Sequence, residues 1–172
     1  AMMSRVSGVN STDVRAAVEL ACRTMGAVFN RHDHDRPYFR AQLRPRPLLS
    51  WHSLFAEAHV PGRHLNALAA AHLVLGLPLD EAVIDKHAAA LFFSFSGELP
   101  LPLNRARVTD ARPGVFLAHN IREGLHGLHA LVQLRGDERA FQTVCRAIDF
   151  INRNWTPREG WAVVTEGGES VA

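Results

Sequence analysis

Apolar residues recur every three or four positions along most of the chain, the spacing of amphipathic helices rather than of strands. Val14, Ala17, Val18, Ala21, Cys22, Met25 and Phe29 mark a first helix behind the cap-forming run Ser11-Thr12-Asp13, predicted over Thr12 to Asn30. Pro61 and Gly62 open a second, from Arg63 to Leu75, closed by Gly76. Asp80 caps a third, from Glu81 to about Phe95, with Ala82, Val83, Ala89, Ala90 and Phe93 available for packing. The stretch from His119 to Asn154 holds two more helices, divided by Gly136-Asp137: glycine suits a helix end and aspartate the next N-cap. On the first of these Ile121, Leu125, Leu128 and Val132 form an apolar stripe.

Proline breaks up the rest. Pro37, Pro45, Pro47 and Pro61 keep the segment between the first two helices irregular, with room for a short helix from Ser50 to Ala58. Glu98 to Phe116 is loop for the same reason, and residues 155–172 form a loose tail with one short strand at Trp161 to Thr165. The reading is a single all-α domain over residues 1–172, with a first helix in 11–30 and antiparallel hairpins in 61–95 and 118–154. The hairpins repeat each other: Leu65, Leu68 and Gly76 match Leu125, Leu128 and Gly136 at a constant offset, and Asp80 and Asp137 each start a second helix.

The segments PGRHLNALAAAHLVLG and REGLHGLHALVQLRGDERAFQTVCRAIDFINRNW carry a resemblance to the six-hairpin, (α/α)6 toroid, glycosidases and their polysaccharide-lyase relatives. It implies a carbohydrate-active domain, a glycan hydrolase or lyase with a polar groove at the end where the long loops gather. No catalytic signature carries over residue by residue. A full toroid needs six hairpins and this chain has about two and a half. A homo-oligomer or a companion fragment is therefore expected to cover the open layer.

At 172 residues and 47% hydrophobic content the chain suits one domain with a real core. A net charge of +2, scattered arginines and a single lysine, Lys86, argue against nucleic acid as a partner. Cys22 and Cys145 fall on apolar helical positions and read as buried, reduced thiols. No apolar run suits a membrane span or a signal peptide, so a cytoplasmic location is the default; a leader already removed would leave no trace.

Candidate chemistry gathers in two places. His119, Arg122, Glu123, His126, His129 and Gln133 share one arc of their helix, which either faces a polar cavity or is a solvated face. The helix start favours an anion near His119 to Arg122. Trp51, His52, Arg63 and His64 flank the other inner helix; Trp51 could stack on a sugar ring or plug the core, while Arg63 and His64 could bind hydroxyls or carboxylates. The acid–base candidates are His119, Glu123 and His52, with Glu57 a further one. Trp51, Arg63, His64, Asn120, Arg122 and His126 are the expected substrate contacts. Glu123-Gly-Leu-His126 has the spacing of a di-iron helix but lacks its second motif, and His32-Asp33-His34-Asp35 reads as a charged helix exit. Neither a metal nor a cofactor is expected. The alternatives to an enzyme are a non-catalytic helical-repeat scaffold and a small-ligand binder.

Overall fold

The protein is described by a computed structural model at residues 13–42, 45–51, 57–103 and 117–162. Five helices dominate: α1 Val14–Met25, α2 His59–Leu75, α3 Glu81–Ser94, α4 Ala118–Arg135 and α5 Glu138–Asn154. Among the described residues strand structure is confined to three two-stranded ribbons. They pair β1 Phe29–Asn30 with β2 Arg36–Pro37, β3 Arg40–Gln42 with β4 Leu48–Ser50, and β5 Trp155–Thr156 with β6 Gly160–Trp161. The all-α class and the two hairpins stand.

Local chemistry sets the boundaries. Asp13, Asp80 and Asp137 each cap a helix by accepting backbone N–H bonds through the side chain. Gly76 and Gly136 end α2 and α4 in the left-handed region, at φ 64° and 62°, and so close the two hairpins alike. The first helix is shorter than its apolar periodicity suggests. It stops at Met25 because Gly26 folds its N–H back on the last turn, and Phe29–Asn30 turn into a ribbon instead. Helix α2 begins earlier than expected, at His59, with Pro61 in the first turn where its missing N–H costs nothing. Ser50 closes a strand rather than opening a helix, and residues 52–56 lie outside the described residues. The tail strand is Gly160–Trp161, and residues 163–172 lie outside the described ones.

The inner pair α2 and α4 meets through glycine. A Cβ built on Gly62 would lie 2.0 Å from the carbonyl oxygen of Glu123, and one on Gly127 would lie 2.6 Å from the Cα of Gly62. Only bare backbones fit at that distance. This seam rotates α4 away from the orientation that its leucines predict. Its buried face is Asn120, Glu123, Gly124, Gly127, Leu128, Ala130 and Leu131, whereas Ile121, Leu125 and Val132 are only half-buried. The two helices run parallel. Their N-terminal turns meet at Gly62 and Glu123, and the far end of α4 reaches α3 just past the turn from α2, where Arg135 pairs with Asp85 at 2.6 Å.

Leu65, Leu68, Ile84, Leu91, Leu128, Leu131 and Ala140 fill the space between this pair and the helices behind it. Helix α3 buries Ile84, His87, Ala88, Ala90, Leu91 and Phe92, a face turned from the expected one. Phe93 instead stacks on His34, ring centroids 3.7 Å apart. Cys22 is half-buried and Cys145 exposed, so the expectation of two buried thiols fails: position 145 lies on the outer side of α5. Among the described residues no helix is long and apolar enough to cross a membrane.

Candidate functional site

Because the glycine seam lets α2 and α4 touch near their first turns, both helices deliver polar side chains to one end of the pair. Glu123 is carried into the seam itself and is buried, at 7% exposure. Its Oε1 accepts bonds from Nε and Nη2 of Arg122 at 3.1 and 2.6 Å, and its Oε2 lies 3.8 Å from Nδ1 of His126. Arg122 and His126 themselves stand in solvent. The polar arc of α4 is thus neither a closed cavity nor a bare solvated face: Glu123 sits at its buried edge, and His119, Arg122, His126, His129 and Gln133 are exposed.

From α2 the seam is met by His59, a residue that the sequence reading missed. It is buried at 8% exposure, its Nε2 is 3.5 Å from Nη1 of Arg63, and its ring centroid is 6.2 Å from that of His119. Burial pulls the His59 pKa below the ordinary histidine value; the Glu123 carboxylate works against that shift, and Arg63, His119 and Arg122 reinforce it. His59 is therefore neutral at pH 7 and able to accept a proton. Its signal in the sequence was weak, because it lies before Pro61, in what looked like loop.

The structure brings together His119, Glu123, Arg122, His126 and Arg63 from the predicted set. It separates others. His64 points into the core, where its ring meets His87 edge-on at 4.9 Å, and burial lowers its pKa to about 4. The expectation that it binds substrate is corrected: one helical step from Arg63 turns it toward α3. Asn120 is buried at 1% exposure, so it does not line an open groove. Trp51 is half-buried and carries the guanidinium of Arg36 4.2 Å from its ring centre, so that face is taken. Arg36 is itself buried and paired with Asp33 and with Glu57, the latter at 2.5 Å. The run read as a charged helix exit therefore contributes one member, Asp33, to a buried ion cluster, and Glu57 is committed to it. His52 lies outside the described residues.

Comparison with known protein families, curated proteins and solved structures returned no match. Chemistry has to be read from the side chains alone. Among the described residues no three His, Cys, Asp or Glu side chains are placed to share a metal ion. What the end of the α2–α4 pair offers is a neutral histidine, a second histidine at its mouth, a carboxylate already held by arginine, and a further arginine, Arg63, with no acidic partner among the described residues.

Proposed function

We propose that this end of the α2–α4 pair is the groove of a carbohydrate-active, toroid-like domain, and that its chemistry is elimination from an acidic glycan rather than hydrolysis. The observation that carries the reading is His59: neutral at pH 7, beside His119 and Arg63, with Arg122 and Glu123 behind. Glycoside hydrolysis calls for two carboxylates flanking the bond. Here Glu123 is bound by Arg122 and Glu57 by Arg36, which leaves no such pair at this end among the described residues.

Elimination asks for less. A uronate carboxylate docks on Arg63, which offsets the charge that builds up when the neighbouring carbon loses its proton. His59 takes that proton, the electron pair forms the carbon–carbon double bond, and the glycosidic oxygen leaves with a proton from His119. The test is a panel of uronate polymers followed by the ultraviolet absorbance of the unsaturated product. Expected is turnover that falls at least ~100-fold in His59→Gln and in His119→Gln, as loss of a general base or acid does. Absence of the unsaturated product from every polymer, or full activity in both variants, refutes the proposal.

A non-catalytic scaffold is the second reading, and it draws on exposed apolar side chains. Leu73 and Val74 stand out from α2, and Phe141 and Ile148 from α5. These faces suit a second copy of the chain, and light scattering at micromolar concentration tests for a dimer; a monomer refutes it.

A further inference from the structure

Helix α1 has a clear apolar side, yet none of its residues is buried. Its attachments explain this. Near its start Arg15 Nη1 donates to the carbonyl of Leu75 at 3.2 Å, and at its end the carbonyl of Met25 accepts from His87 Nε2 at 3.0 Å. Held at both ends, α1 packs only partly against the core, through Cys22 and Met25. Beneath its last turn lies a cavity of about 300 Å³, lined by Cys22, Leu68, Ala71, Leu79 and Val83, with Arg23 at its edge.

The lining decides what fits. That volume equals the liquid share of about ten waters at ~30 Å³ each, but walls of leucine, alanine and valine give water few partners. Of the two charged residues there, Asp80 is occupied in capping α3, accepting from Ala82 and Val83. Arg23 has no ion-pair partner among the described residues. An apolar cavity with one uncommitted cation at its edge matches a ligand with an alkyl body and an anionic head. We propose that this cavity is a binding site for a short- to medium-chain alkyl carboxylate. The chain lies between α1 and the α2–α3 turn, the carboxylate pairs with Arg23, and the bound molecule completes the burial of the inner side of α1. The site is separate from the α2–α4 end and independent of the chemistry proposed there.

Octanoate and octanol serve as probes, in calorimetric titration and in maleimide labelling of Cys22 with Cys145→Ser removing the exposed thiol. Expected is saturable binding of octanoate. At ten times its Kd, octanoate should slow Cys22 labelling roughly tenfold by mass action. Arg23→Gln should weaken octanoate about fivefold, the worth of an exposed charge pair, and leave octanol unchanged. Two plugs, Ala71→Met in the wall and Ala27→Leu at the exposed lip, should each abolish binding; the second lies outside the core, so that a folded plugged protein is in hand. No saturable octanoate binding, or an affinity that Ala27→Leu and Ala71→Met leave unchanged in folded protein, overturns the proposal. Equal losses for octanoate and octanol in Arg23→Gln overturn the assignment of the headgroup.

Discussion

The histidine pair inside the core makes the stability of this protein depend steeply on pH. His87 is fully buried, with its ring 4.6 Å from that of Phe29 and 4.9 Å from that of His64. The Met25 carbonyl can only accept, so Nε2 of His87 carries the proton. Nδ1 of His87 and Nδ1 of His64 are buried without a hydrogen-bond partner among the described residues. Burial lowers the pKa to about 3 at His87, with His64 adding to the effect, and to about 4 at His64, with Arg63 adding there. Both groups are neutral in either state above the ordinary value near 6.5, so the full stability is present there. As pH falls through that value the unfolded chain takes up two protons that the folded protein refuses until about pH 4. In that window each histidine costs about 1.36 kcal/mol per pH unit. From pH 7.5 to pH 5 the loss is about 4 kcal/mol, a large share of a typical ~5–15 kcal/mol.

Urea unfolding at a series of pH values, at constant ionic strength, measures the slope directly. His87→Gln keeps a donor for Met25 and should remove one proton's worth of slope; the double variant with His64→Gln should remove both. A double variant that loses as much stability as the parent between pH 7.5 and 5 refutes the reasoning, because the slope then arises elsewhere.

Two further expectations come from the packing. Gly127→Ala places a methyl group 2.6 Å from the Gly62 Cα, and since neither backbone can yield alone it should cost about 3 kcal/mol or more despite the helix-favouring change, seen as a lower unfolding midpoint. The same substitution at Gly76, where nothing lies within 4 Å, should cost less, near the ~1 kcal/mol of a left-handed backbone, so the pair separates contact from conformation. Arg36→Met removes the guanidinium that pairs with the buried Asp33 and Glu57 carboxylates and should destabilise the fold by about 3–5 kcal/mol in chemical denaturation; a loss under ~1 kcal/mol would mean that the Arg36 pairing contributes little.

The helices themselves were legible in the sequence because their determinants are local. Asp80 and Asp137 cap and Gly76 and Gly136 terminate through bonds to residues within one turn, so spacing alone reveals them. The repeated hairpin followed from the same signals, as did Glu123 and its neighbours on one arc of α4. What those residues face was decided by tertiary structure. The stripe Ile121, Leu125, Leu128 and Val132 promised one buried side, but burial follows the partner, and α2 approaches through Gly62, Gly124 and Gly127. Glycines carry no hydrophobic signal, so the periodicity pointed to one side of the buried face, with Leu128 alone of the stripe fully buried. The same cause took His64 into the core and brought His59 to the site. Arg36, Asp33 and Glu57 show the other limit: they are partners 21 residues apart in the case of Arg36 and Glu57, and an ion pair across a turn leaves no period to read. Local hydrogen bonding writes itself into the sequence; close approach of backbones and pairing of distant charges exist only once the chain has folded.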